Sequence, residues 1–282
     1  MISVLGVTTG VMAMVVVLSV MSGLQNDLRD KILGTNAHVV VLRSGGAIEN
    51  PDELQRVLHE AGGPAIVGTT PFIYNQAMLT TPSSVMGVVI RGVEVSSATS
   101  VTSLWSYMQE GALEDLAAPI ADPDDPEAGE LPGIILGKEL AFNLGVFRGD
   151  DVNVVVPTGN LGPMGVTPRM KRFRVAGIFS SGMYEYDSGL VYVSLADAQR
   201  FFGMNGQATG IEVKTIDPMR ADDLARKLAA AVGFPYYARD WKDLNRNLFG
   251  ALQLEKVGMT LILVLIIMVA AFNIVSTLFM VV

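Results

Sequence analysis

The chain has 282 residues, 50% of them hydrophobic, and 28 Asp and Glu against 20 Lys and Arg give a net charge of −8. An acidic balance argues against a nucleic-acid partner, because a phosphate backbone needs a basic face. The absence of cysteine excludes disulfides, thiol catalysis and thiolate metal sites.

The first 26 residues, MISVLGVTTGVMAMVVVLSVMSGLQN, carry no charge. A cleaved signal peptide would show a basic leading segment and a small-residue cleavage site. Neither is visible, so the run is read as a membrane helix. Beyond it Leu24, Leu28 and Ile32 keep i, i+4 spacing while Asp27, Arg29, Asp30 and Lys31 face elsewhere, and Gly34 supplies a stop. The helix is therefore expected to leave the bilayer as an amphipathic stalk.

The next stretch contains a faint internal repeat. Residues 37–42 (AHVVVL) read as a strand, followed by Asn50-Pro51 and a helix to Glu60. Residues 210–214 (GIEVK) read as another strand, followed by Asp217-Pro218 and a helix to Val232. Each helix has an Asn or Asp cap and a proline in its first turn, where the missing N–H is harmless. Each gives way to glycine and a second extended run, 66–80 in one case and 235–238 in the other. Two strand–helix–strand units at opposite ends of one segment predict an α+β sandwich with about 93–206 inserted into it.

The insert is rich in predicted strands. Residues 118–133, rich in Pro and Asp/Glu, read as a mobile acidic loop. A strand at 133–136 leads into a helix at 138–144, stopped by Gly145. Residues 152–156 are β-branched enough for a buried strand. Residues 172–179 alternate, with Phe173, Val175 and Phe179 on one face and Arg172 and Arg174 on the other. Ser194 and Asp197 resemble a capping box opening a helix that closes at Phe202-Gly203.

At the far end Asp240 is a candidate N-cap, and Trp241, Leu244, Leu248 and Leu252 make one apolar stripe, a second stalk. It leads into residues 257–282, VGMTLILVLIIMVAAFNIVSTLFMVV, which hold no charge. About 25 residues at 1.5 Å each span about 38 Å, enough for a hydrocarbon core of about 30 Å. Both apolar runs reach the chain's ends without a basic flank on the far side. A piece of a longer membrane protein is therefore expected, and the positive-inside rule sets no orientation.

Groups for catalysis are scarce. His38 in a predicted strand and His59 on a predicted helix read as structural, and His59-Glu60 lacks the second histidine of a zinc-protease helix. The run from Gly133 to Glu139 looks like a phosphate loop, but it is one residue short and has Glu139 where a hydroxyl must hold Mg²⁺. No nucleophile elbow occurs. A non-enzyme is expected, with no metal and no cofactor in this chain.

Residues 156–171, VPTGNLGPMGVTPRMK, read as a loop far longer than a tight hairpin needs. Pro157, Pro163 and Pro168 restrict it, while Gly159, Gly162 and Gly165 permit turns. Leu161, Met164, Val166 and Met170 have no evident core to enter, and Arg169, Lys171, Arg172 and Arg174 gather at the base. Two readings fit: a partner-binding arm, or a surface hairpin whose charges guard an edge.

These residues carry a resemblance. Residues 16–34, VVLSVMSGLQNDLRDKILG, resemble the end of the first membrane helix in lipoprotein-releasing ABC permeases of the LolC/LolE type. Residues 133–157, GIILGKELAFNLGVFRGDDVNVVVP, are similar to a pattern of the wider superfamily that includes the MacB and FtsX permeases. PMGVTP at 163–168 with KRFRVAGIF at 171–179 resembles the segment called the hook. The resemblance covers essentially the whole chain. It implies an extracytoplasmic porter-like α+β domain with an inserted β-rich subdomain, flanked by two transmembrane helices. The corresponding division is 1–34 as first helix and stalk, 35–92 with 207–239 as porter-like part, 93–206 as insert, and 240–282 as stalk and second helix. Helices three and four of the family are absent from this chain.

The resemblance further implies a bacterial inner-membrane, multi-pass permease subunit with a large periplasmic domain. Its expected partners are a separate ATPase subunit, a second permease subunit (identical or different), a lipoprotein substrate and a periplasmic carrier of the LolA type. The carrier-binding hook would be 158–168, with Thr158, Leu161, Pro163, Met164, Gly165, Val166 and Pro168. Arg169, Met170 and Lys171 would form its base and pad, with Met170 departing from the polar residue usual in the family. Met14, Val17, Leu18 and Met21, at three- to four-residue spacing on the first helix, would line a lipoprotein cavity; ordinary lipid contact or helix packing fits the same spacing. The alternative is a MacB-like efflux or FtsX-like subunit that transmits ATPase motion to a periplasmic partner.

Overall fold

The computed structural model describes residues 2–121, 129–162 and 165–281; the centre of the expected acidic loop, 122–128, lies outside the described residues. In chain order the elements are α1 (Ile2–Thr35), β1 (Val39–Arg43), α2 (Pro51–Gly62), β2 (Ile66–Thr80), β3 (Val85–Val93), α3 (Val95–Val101), β4 (Met108–Glu110), β5 (Gly133–Gly137), α4 (Lys138–Leu144), β6 (Asp151–Gly162) and β7 (Gly165–Phe179). They continue with α5 (Tyr184–Gly189), β8 (Leu190–Ser194), α6 (Leu195–Phe202), β9 (Gly210–Thr215), α7 (Ala221–Val232), β10 (Tyr236–Asp240), α8 (Trp241–Leu244) and α9 (Arg246–Val281). The chain forms two compact units, Met1–Ile32 with Lys242–Val282, and Leu33–Trp241.

The smaller unit is built on α1 and α9. Neither contains proline, so no intrahelical hydrogen bond is lost. Segments of 26 residues (Gly10–Thr35) and 35 residues (Arg246–Met280) are long and apolar enough to cross a membrane. Thr260 returns its hydroxyl to the carbonyl of Lys256 at 2.8 Å, which hides its polarity within the helix. The two helices run antiparallel, with Gly10 against Ile266 and Met21 facing the region of Met259.

The stripe expected from Trp241 to Leu252 is divided. The helix breaks at Asn245, between Leu244 and Arg246. Trp241 is buried within the larger unit, where its indole N–H donates to the carbonyl of Pro218 at 2.8 Å and its backbone N–H to that of His38 at 3.0 Å. Two tertiary hydrogen bonds thus outweigh the periodicity.

In the larger unit β10, β1, β9 and β2 lie side by side in that order, each antiparallel to its neighbour. The two strand–helix–strand units interleave: β9 lies between β1 and β2, and β1 lies between β9 and β10. Helices α2 and α7 lie together against this sheet, burying Leu54 and Leu58 from one and Leu224 and Leu228 from the other. Pro51 begins α2 as expected. The second helix starts a turn late, because the Asp217 carboxylate accepts from Met219 N–H at 2.9 Å and holds a 3-10 turn before Ala221.

The sheet then continues into a closed barrel. Strand β2 pairs with β3, β3 with β8, β8 with β5, β5 with β7, β7 with β6, and β6 returns to β2. Closure leaves these strands few open edges. The interior is filled at period two by Leu79, Val88, Ile90, Ile134, Leu136, Val152, Val154, Phe173 and Val191, with Leu140 and Leu144 of α4 and Phe201 of α6. Strands β2 and β3, before the sequence division expected near residue 92, pair with β6 and β8 of the expected insert.

Two expectations for β7 are corrected. An extra residue, Ala176, interrupts the register between Val175 and Gly177, so parity shifts by one. Phe179 therefore packs in a second cluster with Leu113, Ile135 and Tyr192, and not with Phe173 and Val175. Arg174, expected to share a face with Arg172, differs from it in burial: its side chain is only 1% exposed, and its Nε donates to the Asp151 carboxylate at 2.8 Å.

Candidate functional site

The segment expected as a long loop is a β-hairpin arm. Pairs run from Asp151↔Arg174 through Val156↔Arg169, and resume at Asn160↔Thr167, Leu161↔Val166 and Gly162↔Gly165. Pairing lapses where Pro157 and Pro168 stand, since neither has an N–H to give to the ladder. Pro163 and Met164 lie outside the described residues, as do the side chains of Thr158, Leu161, Gly165 and Val166; Pro168 is exposed. The arm's direction is set below the lapse.

There the basic residues divide by strand parity. Arg169 and Lys171 face α6: Arg169 Nη1 donates to the carbonyl of Phe201 at 3.2 Å, and Lys171 Nζ to Asp197 Oδ1 at 2.9 Å. Met170 and Arg172 face solvent, Met170 at 68% exposure. Arg172 lies 3.8 Å from Asp151. Asp197, legible in sequence only as part of a helix cap, also takes Arg200 at 2.9 Å. The Ser194 hydroxyl donates to its Oδ2 at 2.6 Å, while its oxygen accepts from Asp197 N–H. Of the four cations expected to gather at the base, Lys171 is thus paired with Asp197, and Arg172 and Arg174 share Asp151.

In the smaller unit Met14, Leu18 and Met21 come together on a groove of about 170 Å³ shared with Met259 and Leu263 of α9. Its polar side consists of Ser22, Gln25, Glu255, Lys256 and Thr260. Val17 lies outside the groove. Positions 14, 18, 21 and 25 follow i, i+4, i+7 and i+11, the strict single face of a helix, and that spacing would have picked out Gln25. The contribution of α9 has no local signal.

The histidines take structural places. The Nδ1 of His38 lies 3.2 Å from Thr215 N–H, and burial lowers its pKa below the ordinary 6.5, with the charge of Lys214 adding to the effect against the Thr215 carbonyl. His59 Nε2 lies 3.0 Å from the Thr69 hydroxyl, which donates to Gln55. Gly137, once suggestive of a phosphate loop, is pressed against the backbone of Asp187, where no Cβ fits. Asp187 in turn accepts from Ser181 N–H at 2.8 Å and Ser181 Oγ at 2.7 Å.

The family described as MacB-like periplasmic core domain matches residues 1–231. Three relatives match along nearly the whole chain. The lipoprotein-releasing system transmembrane protein LolC of Neisseria meningitidis serogroup B is 37% identical over 99% of this chain and 65% of its own length. That of Xylella fastidiosa (Temecula1) is 36% identical over 98% and 63%. The corresponding LolE of Haemophilus influenzae is 29% identical over 99% and 64%. The chain thus spans somewhat less than two thirds of the length of each.

Proposed function

The chain belongs to the MacB-like periplasmic core domain family, and within it we propose a permease subunit of an ABC transporter that extracts lipoproteins from the inner membrane and passes them to a periplasmic carrier. The observation that carries this reading is the 37% identity, over 99% of the chain, to a relative named for lipoprotein release. Two features support it. One is a groove between α1 and α9 with an apolar floor of Met14, Leu18, Met21, Met259 and Leu263 and a polar rim, a shape suited to acyl chains below a polar head. The other is the proline-restricted arm, whose limited freedom reduces the ordering entropy lost on docking a LolA-type carrier.

In this reading the larger unit is periplasmic, α1 and α9 cross the inner membrane, and ATP is hydrolysed by a separate subunit. A second permease subunit, identical or different, completes the pathway. The test is reconstitution of the full transporter in lipid vesicles loaded with a labelled acylated lipoprotein. Addition of ATP and soluble carrier should transfer the label to the aqueous phase. A transporter that hydrolyses ATP but leaves the label in the membrane, while exporting small amphiphiles, would point to the efflux alternative instead.

A further inference from the structure

The arm leaves the barrel on β7, and the same stretch of β7 is fastened along the length of one helix. Arg169 and Lys171 are two residues apart on a strand, about 6.7 Å. Their partners Phe201 and Asp197 are four residues apart on α6, about 6 Å. The two spacings match, so both contacts form at once, with Lys171 at the N-terminal end of α6 and Arg169 at its C-terminal end. The contact continues inward: Lys171 lies 5.2 Å over the Phe173 ring, which packs edge-on against Phe201 at 6.3 Å.

We propose that α6 is the brace that aims the arm, and that Asp197 is its positioning residue. The need for a brace follows from the lapse in pairing between Val156 and Asn160, which leaves the arm's distal pairs joined to the barrel through a proline-interrupted stretch. A hairpin so interrupted pivots unless its base is held. Asp197 is suited to hold it because it is itself fixed by the Ser194 hydroxyl and Arg200. With its side chain only 10% exposed, its bond to Lys171 is weakly screened. Lys171 thereby acts through α6 and not as a free charge offered to a partner. The functional half of this proposal rests on the reading of the arm as a carrier-docking element.

The test uses the full chain carrying spin labels at Asn160 on the arm and Val85 at the start of β3, with Lys171→Met, Asp197→Asn and the double variant. Lys171→Met leaves Asp197 paired with Arg200, and Asp197→Asn keeps the cap geometry, so melting temperature serves as the check on folding. Each single variant should broaden the label–label distance distribution and weaken binding of purified carrier about tenfold, the result of returning orientational freedom to the arm. The double variant should be no worse than either single one, and Lys171→Arg should restore both readouts. An unchanged distribution in both single variants overturns the brace. Weakening by Lys171→Met but not by Asp197→Asn overturns it too, because Lys171 would then touch the carrier directly. Broadening without any loss of affinity overturns the positioning role. If the unmutated chain binds no carrier, the distance distributions still decide the brace, and only the carrier reading fails.

Discussion

Arg91 on β3 and Glu212 on β9 reach across β2 to form an ion pair whose side chains are 10% and 4% exposed. They stand opposite Tyr74 and Thr70 of β2 and so straddle Phe72, over whose ring the guanidinium lies at 5.5 Å. This is the point at which β2 passes from the antiparallel sheet into the barrel. The pair therefore ties the two parts of the larger unit together. Burial raises the pKa of the neighbouring Tyr192 hydroxyl far above its ordinary value, against the opposing charge of Arg91, so Tyr192 stays neutral beside the pair.

Removing one partner strands a buried charge. Glu212→Leu is expected to destabilise the protein by about 3–5 kcal/mol. Arg91→Met combined with Glu212→Leu should recover more than half of that loss, and it also removes the Arg91 Nε–H, which is buried with no acceptor among the described residues. Urea unfolding of the two variants against the unmutated chain checks the ordering; a double variant as unstable as the single one would contradict it.

His38 predicts a pH dependence. Its pKa is lowered in the folded state, chiefly by burial, so below 6.5 the unfolded chain binds a proton that the folded chain does not. The stabilising contribution is complete above 6.5 and is lost as pH falls from 6.5 towards the depressed folded value, at no more than about 1.4 kcal/mol per pH unit. Denaturation midpoints at pH 7.5 and 5.5 should differ less in His38→Gln than in the unmutated chain.

At Gly137 a side chain has nowhere to go. Gly137→Ala should destabilise by about 1–3 kcal/mol through overpacking against the Asp187 backbone. Gly145→Ala offers a contrast: its surroundings are open, and only its left-handed φ of 67° resists substitution. Thermal melts should show backbone strain at Gly145 and a displaced α4–α5 contact at Gly137, the latter visible as faster amide exchange at 184–189.

The groove makes a positional prediction. Photo-crosslinkers at Met14, Leu18, Met21 and Met259 should capture acylated lipoprotein, whereas Val15 and Val17, outside the groove, should not. Equal capture at all six positions would mean ordinary lipid contact.

For the arm, replacing 163–166 with a Gly-Ser linker should abolish carrier pull-down and leave the melting temperature unchanged within about 2 °C. Retained affinity would refute the hook assignment. Because Lys171 is paired with Asp197, Lys171→Met should leave the salt dependence of binding unchanged, whereas loss of a free steering charge would flatten it.

What the sequence determined by itself is local. Two uncharged runs sufficed for α1 and α9, because in a bilayer the backbone must be satisfied within the segment. Proline after Asn50, glycine at 145 and 203, and Ser194 before Asp197 marked helix ends, because caps act over three or four residues. On α1 the spacing picked out Met14, Leu18 and Met21, which share a groove with α9, together with Val17, which lies outside it. The rest depended on partners far along the chain. Arg174 alternates like a surface residue, yet it is buried because Asp151 lies opposite it in register. Phe179 changed face because one extra residue, Ala176, entered β7 where Gly111 and Gly177 let β4 approach. Arg91 and Glu212 are 121 residues apart and Lys171 and Asp197 are 26 apart, so neither pair leaves a periodic trace. Tertiary pairing brings them together, β3 and β9 flanking β2 in one case and α6 lying against β7 in the other, because strand order decides which charges meet out of water and no pattern within a single strand encodes it.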